Sequence, residues 1–337
     1  MFQPTLHALM TSGAKQLALH QRAAATSWAK FGHQVFVRGV VEVSNFCREN
    51  CHYCGMRRDN NELDRYRARL EDLVEILVHQ RPASITEVNV QSGEDPVAVR
   101  EIVLPLIRIL RRETPLGVIV CLGTLGKSLY QELRVAGASV YIMKFETAHE
   151  EHYRTARAPG TLAERLEHIL SLAQSGWRVS SGFIAGLPGQ DPLGLVRCLS
   201  LANELPLVGC SVSPFIPGNQ TPFKDASAAD VNWTLNCIAV LRLMRPDWVI
   251  PAVSALNLAA RDGYRCALRA GANLVTINLT PTAVRSDYVI YTRDRFIMTE
   301  ERALAAIEAE GLQPSPVGLV EYLDQLPTPA RASPQLA

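Results

Sequence analysis

Eight short stretches rich in Val and Ile recur along the 337-residue chain, each separated from the next by a helix-length segment. They cover 37–44, 85–91, 117–122, 138–143, 178–184, 208–213, 248–254 and 273–278. Strands buried on both faces read as continuous apolar runs of this kind, as in parallel sheets covered by helices. Helical periodicity fills the gaps near 70–80, 98–112, 127–136, 161–175, 191–204, 228–244 and 258–270, with a last helix expected at 299–310. Gly137, Gly176 and Gly271 each follow a periodic run, where a left-handed C-terminal cap is expected. Eight βα units predict an α/β fold, a complete (β/α)8 barrel of the TIM type. An open doubly wound sheet is the alternative, but no Gly-rich dinucleotide loop follows the first strand.

The expected organisation is an N-terminal helical extension (1–36), the barrel (37–296), a C-terminal helical segment (297–324) and a loose tail (325–337) rich in Pro, Ala and Ser. The first 41 residues contain no Asp or Glu, a trait of transit peptides, although Leu6, Leu9, Met10, Leu17 and Leu19 recur at helical intervals and favour packed helices. The 34 basic and 33 acidic residues nearly cancel, so the balance gives no reason to expect nucleic acid or an anionic membrane as partner. No apolar run approaches the roughly 18 residues of a membrane span. Five cysteines scattered through apolar segments read as buried thiols, and the expected compartment is the reducing cytoplasm.

The other three cysteines are clustered. Cys47, Cys51 and Cys54 follow C-x3-C-x2-C spacing, with Tyr53 before the last thiol and the group placed directly after the first strand. Three thiolates can hold three irons of a 4Fe–4S cluster and leave the fourth open to a substrate. A structural zinc site would want a fourth ligand; His52 is at hand, but no second C-x2-C or H-x3-H pair follows. A disulfide framework is a poor fit to a chain of this length.

In a barrel, function gathers at the C-terminal ends of the strands. The cysteine group falls there, as do Gln91-Ser92-Gly93-Glu94-Asp95-Pro96, Lys144-Phe145-Glu146-Thr147, Gly186-Leu187-Pro188-Gly189 and Pro214-Phe215-Ile216-Pro217. Gly93 permits close backbone approach, and Glu94 offers an acceptor for an ammonium group. The plain alternatives are a tight strand-to-helix turn for the glycines and solvated loop carboxylates for Glu94 and Glu146.

With Arg65-Tyr66-Arg67, Cys54-Gly55-Met56-Arg57-Arg58-Asp59-Asn60 and Asn278-Leu279-Thr280-Pro281, these motifs resemble the radical S-adenosylmethionine (SAM) superfamily. Over residues 31–292 the likeness is to the HydE type of FeFe-hydrogenase maturase, related to biotin synthase and methylornithine synthase. The resemblance implies reductive cleavage of SAM at a site-differentiated 4Fe–4S cluster, giving a 5′-deoxyadenosyl radical. It implies Cys47, Cys51 and Cys54 as cluster ligands and Tyr53 near the adenine. Gln91, Ser92, Gly93 and Glu94 would meet the methionine amino group, and Arg165 the SAM carboxylate. Glu146 would face the ribose or substrate and, with Tyr288, act in catalysis. Ser254, Arg285, Tyr288 and Tyr291 would line the substrate side. Implied partners are a small amino-acid-derived or sulfur-bearing substrate, iron-bound in hydrogenase maturation, and an external one-electron donor such as a flavodoxin or ferredoxin.

Departures from the resembled pattern fall at pocket positions. Lys144-Phe145 replaces Arg-His, Val253-Ser254 replaces paired threonines, Gly218-Asn219-Gln220 differs, and Val284 stands where an aromatic is familiar. Biotin synthase's second cluster lacks its ligands here: Ser180 and Ala255 occupy two of the positions, and Cys121 is two residues out of step with a third. Sulfur insertion is therefore disfavoured. A carbon-skeleton mutase of the methylornithine synthase kind and a non-enzymatic cluster carrier are the competing classes.

Overall fold

A computed structural model describes residues 5–292 and 296–327. Seven parallel strands form one curled sheet: β1 (Gln34–Ser44), β2 (Glu87–Ser92), β3 (Gly117–Cys121), β4 (Val140–Ile142), β5 (Arg178–Ala185), β6 (Gly209–Pro214) and β7 (Leu274–Asn278). Their order is β6-β5-β4-β3-β2-β1-β7, and a two-residue β8 (Gln313–Pro314) joins the N-terminal end of β1. Helices follow the strands as the periodicity predicts, for example Lys127–Ala136, Leu162–Gln174, Pro192–Glu204 and Val231–Met244. Gly137, Gly176 and Gly271 take φ of 118°, 84° and 95°, the left-handed geometry of a helix end.

One expected strand is missing from the sheet. The 248–254 stretch makes only isolated bridges, Gly209↔Val249 and Pro251↔Leu274, between β6 and β7. Pro251 interrupts it, because a proline has no N–H to give to a ladder. The hydrogen bonding therefore describes a curled seven-stranded sheet, not the complete eight-stranded barrel that the apolar pattern predicts.

The strands alternate in a consistent way. Outward side chains such as Val37, Val41, Val88, Val90, Val118 and Val120 join the main apolar core under the helices. Inward side chains are apolar at the bottom of the curl, where Phe36, Ile119, Val140, Val249 and Leu274 meet Leu319 and Leu323. Those two leucines come from the helix Leu319–Gln325, which stoppers the lower end. Above this floor the inner face turns polar, with Glu42, Asn89, Gln91, Lys144 and Ser211 around two adjoining cavities of about 160 Å³ each.

The N-terminal helix Gly13–Phe31 packs on Val231–Met244. The buried amide of Asn236 secures it, donating to Leu9 O (2.8 Å) and Thr11 O (3.0 Å) and accepting from Gln16 Nε2 (3.0 Å). Beyond Pro327, the tail lies outside the described residues, as do 293–295.

Candidate functional site

The cysteine loop leaves β1 at its C-terminal end and is held by polar contacts rather than by regular structure. Arg65 donates to four carbonyls of the loop and its flanks: Asn45 O (2.7 Å), Met56 O (2.9 Å), Arg57 O (2.7 Å) and Asn60 O (3.1 Å). Asn45 Nδ2 reaches Asp64 O and Asp287 O, each at 2.7 Å. Asn60 Nδ2 donates to Gly55 O at 2.6 Å. Beneath the loop, Asp95 accepts a forked pair from Arg67 (2.7 and 3.0 Å) and a bond from Ser44 Oγ (2.7 Å). Gly93 lies so close below that a Cβ there would sit 2.3 Å from Phe46 O and 2.9 Å from Cys47 Cβ. Only glycine fits that approach.

Cys51 is buried, while Cys47 and Cys54 are half-buried. The Glu94 N–H donates to Cys47 Sγ at 3.4 Å, the kind of bond that stabilises a ligating thiolate. Burial pushes all three thiols up, Cys54 to about 12; Cys47 and Cys54 add to the rise at Cys51, and Cys47 to that at Cys54. Left to themselves they stay protonated at neutral pH; a coordinated metal deprotonates a thiol outright. Among the described residues no three His, Cys, Asp or Glu side chains converge as they would on a single ion. His52 packs edge-on against Phe223 (5.5 Å between centroids) rather than completing a fourth zinc ligand. Three thiols on one loop are the donor set of a cubane that keeps one iron open, and the Glu94 N–H at Cys47 Sγ suits a ligating thiolate.

Next to the loop lies a buried charge network. Glu94 is ion-paired with Arg165 (3.4 Å) and Arg48 (3.2 Å), and accepts from Thr124 N–H at 2.8 Å. Burial opposes the Arg165 charge, but Tyr153 and Glu94 raise its proton affinity above the usual arginine value. Tyr53 is buried in an apolar cluster with Tyr153, Ile184, Leu187 and Phe215.

Glu146 connects this region to the lumen. It takes φ of 61°, a left-handed conformation uncommon for a residue with a side chain, and its backbone bridges to Phe183. Its Oε2 lies 3.3 Å from Lys144 Nζ. Its charge acts on Cys51 and Cys54 on one side and on Lys144 and Tyr291 on the other. Non-glycine residues held in this region cluster at functional sites.

The remaining sequence-derived candidates are dispersed. Gln91 points into the lumen, donating to Glu42 Oε1 at 3.3 Å, and Ser92 Oγ donates to Gly93 O at 2.6 Å. Ser254 and Tyr291 border the upper cavity. Arg285 instead clamps the carbonyl of Thr280 (2.8 Å from Nε), and Tyr288 is buried among Met56, Leu63 and Val289. Of the altered positions, Lys144 and Val253 reach the cavities, whereas Phe145 is core, stacked on Phe183 (5.7 Å). Gln220 donates to Glu62 at 2.7 Å and accepts from Asn60 Nδ2 at 3.0 Å.

Sequence reasoning missed Arg48 as a partner of Glu94, and it missed the polar inner face. The signal for the latter was present: Arg38 and Glu42 on β1, and Glu87, Asn89 and Gln91 on β2, stand two or four residues apart and so share a face.

The Radical SAM superfamily pattern matches residues 41–201. The [FeFe] hydrogenase maturase subunit HydE of Thermotoga maritima is 34% identical over 260 residues, 77% of this chain and 74% of its own length. The 3-methylornithine synthase of Methanosarcina barkeri is 28% identical over 296 residues, 85% of this chain and 81% of its own. The crystal structure of methylornithine synthase superposes with a TM-score of 0.82 at 26% identity, covering 93% of this chain and 94% of that one. With its three-thiol loop and parallel curled sheet, the chain belongs to the radical SAM superfamily, as an enzyme that works with a 4Fe–4S cluster and SAM.

Proposed function

We propose that this enzyme directs a SAM-derived radical at a small amino-acid-derived molecule held in the polar lumen, in a HydE-like manner. The observation that carries this reading is the position of Glu146, whose carboxylate acts on the cysteine loop from one side and on Lys144 and Tyr291 at the cavity from the other. When bound, the cluster supplies the electron that splits SAM into methionine and a 5′-deoxyadenosyl radical.

The chain's own part is to bind, orient and shield. Cys47, Cys51 and Cys54 hold the irons, on a loop kept in place by Arg65 and Gly93. Glu94 and Arg165, ion-paired across the site, match the opposite charges of a methionine ammonium and carboxylate. Each would exchange one partner for the ligand, with Arg48 and Thr124 N–H retaining Glu94. Tyr53 and its apolar neighbours offer a surface for adenine, and Glu146 orients ribose or substrate. Ser254 and Tyr291 contribute to the cavity wall, while Arg285 braces the Thr280 carbonyl and Tyr288 packs on Met56 of the cysteine loop's flank. The bridges at Val249 and Pro251 favour reading the curl as a complete barrel that excludes water from the radical. An external one-electron donor of the flavodoxin or ferredoxin kind and a cytoplasmic setting complete the reading; no described helix is long and apolar enough to cross a membrane.

The high structural likeness to methylornithine synthase favours a second reading, a carbon-skeleton mutase acting on a free amino acid. One experiment tests both. The protein is reconstituted anaerobically with iron and sulfide, then given dithionite, SAM and an amino-acid mixture. Methionine and 5′-deoxyadenosine are expected, and Cys51→Ala should abolish them. Absence of both products from the wild type refutes the proposal, and an isomerised amino acid among the products selects the mutase.

A further inference from the structure

The lower cavity contains an arginine that makes no ion pair within 4 Å among the described residues; Glu87 acts on its charge only from farther off. Arg38 points inward from β1 and lines both cavities. Its one hydrogen bond runs from Nε to Thr276 Oγ1 at 3.1 Å, and among the described residues neither Nη atom has a hydrogen-bond or ion-pair partner. Glu87 is its register partner on β2, but that carboxylate accepts from Thr86 Oγ1 (2.8 Å) and Val320 N–H (3.2 Å) instead. Lys144, the other cation lining these cavities among the described residues, already has Glu146 at 3.3 Å. Arginine cannot shed its charge, so a guanidinium enclosed in protein and unpaired is costly until an anion reaches it.

A second, independent observation concerns the next residue on that face of β2. Asn89, on the same inner face of β2 and 3% exposed, donates from Nδ2 to Gln91 Oε1 at 3.2 Å. Its Oδ1 is buried and has no hydrogen-bond partner among the described residues. A fork of two N–H groups fits a carboxylate, and an open carbonyl oxygen next to it calls for an N–H donor. One small-molecule class carries both on a single carbon.

We propose that Arg38 and Asn89 anchor the α-carboxylate and α-ammonium of an amino-acid substrate at the floor of the lumen. The inference rests on the lumen being the substrate site, and it adds an orientation. Beneath the anchor the floor is closed by Ile119, Leu274, Leu319 and Leu323, so the substrate side chain can only extend upward. Glu42 stands four positions up the strand from Arg38, roughly 13 Å of rise, enough for a side chain of several atoms to extend toward Glu146 and the cysteine loop. The radical therefore meets side-chain carbons and not the α-carbon.

The test uses the reconstituted enzyme saturated with SAM and isothermal titration with three probes: L-norleucine, L-norleucinamide and hexanoate. Norleucine should bind at least tenfold more tightly than either probe that lacks one of the two groups. Arg38→Gln should bring norleucine and its amide within about twofold to threefold, because its neutral amide loses the charged fork. Asn89→Leu should do the same for norleucine against hexanoate. Arg38→Lys, which keeps the charge without the fork, guards against misfolding and should lie between, with iron content and melting temperature matched to the wild type. Equal binding of norleucine and norleucinamide, or no binding of any probe, overturns the anchor. The same preparation is assayed for 5′-deoxyadenosine. SAM cleavage without carboxylate preference sinks the anchor alone, whereas lack of cleavage sinks the functional reading.

Discussion

Replacing Gly93 by alanine should loosen the cysteine loop without touching a thiol. The added Cβ would stand 2.3 Å from Phe46 O, 2.9 Å from Cys47 Cβ and 3.0 Å from Phe46 C. Carbonyl oxygens and carbons approach ordinarily at about 3.4 Å, so the loop or the end of β2 must move by about 1 Å. Neither can yield cheaply. The loop is tied to the Arg65 guanidinium, and β2 pairs with both β1 and β3. Overpacking against a backbone that cannot rotate away costs about 1–3 kcal/mol.

For 337 residues the unfolding entropy is about 0.7 kcal/mol/K, which converts that cost to a melting temperature lower by about 1.5–4 °C. The larger effect should be on cluster assembly, since Cys47 moves and the bond from Glu94 N–H to its sulfur is lost. The assay is thermal unfolding of the metal-free chain, paired with iron and sulfide content after reconstitution. Gly126→Ala is the control, because nothing lies within 4 Å of a Cβ there. Full iron uptake by the Gly93→Ala protein, with unchanged melting, would refute the close-approach argument.

Three further outcomes follow from the same geometry. Arg65→Lys keeps a positive charge but cannot reach four carbonyls, so iron uptake should fall by more than half while melting drops by about 1–2 °C; unchanged iron content would rule out its scaffolding role. Arg242→Met should cost at least about 3 kcal/mol, seen in denaturant unfolding, because it strands the Gly271, Pro246 and Trp248 carbonyls and leaves Asn273 Oδ1 only the Ile250 N–H; a cost under 1 kcal/mol contradicts this. Burial raises Glu87 from 4.5 to about 7, so the folded state holds this proton more tightly than the unfolded chain does. Its contribution is then full below 4.5 and lost as pH rises through about 7, so Glu87→Gln should gain up to about 3 kcal/mol over wild type across that window. Stability curves that stay parallel in pH would refute that assignment.

Seven of the eight strand-like stretches were legible because their outward residues are Val and Ile in short runs bounded by turns. The eighth, 248–254, has the same composition, but Pro251 at its centre removes a ladder donor, and composition does not register a missing N–H. The cysteine triplet was legible because metal ligation imposes spacing. The contacts that shape its loop were not, since Arg65 serves backbone carbonyls, and a carbonyl can belong to any residue type. Arg285 shows the same blindness in reverse: an arginine near a barrel mouth reads as a ligand contact, yet it is engaged by Thr280 O. The inner face escaped notice because eight apolar runs invite a reading of strands buried in hydrocarbon on both sides, which overlooks Arg38, Glu42, Asn89 and Gln91 among the valines.

The floor of the lumen shows why such polar residues survive in strands that otherwise read as core. Glu87 and Arg38 face each other across β1 and β2 and would neutralise one another in a simple barrel. Here the helix Leu319–Gln325 inserts from below, and its first N–H groups engage the Glu87 carboxylate. A helix N-terminus favours a negative charge, but burial outweighs it, so Glu87 is only partly ionised near neutrality. The C-terminal segment thus does two things at once: Leu319 and Leu323 seal the curl against water, and the helix start holds the carboxylate that stands in register with Arg38. A stopper made of apolar residues alone would leave Glu87 free to close onto Arg38, and the guanidinium would no longer be open to a ligand. The polarity of the lumen is therefore set by its plug as much as by its walls.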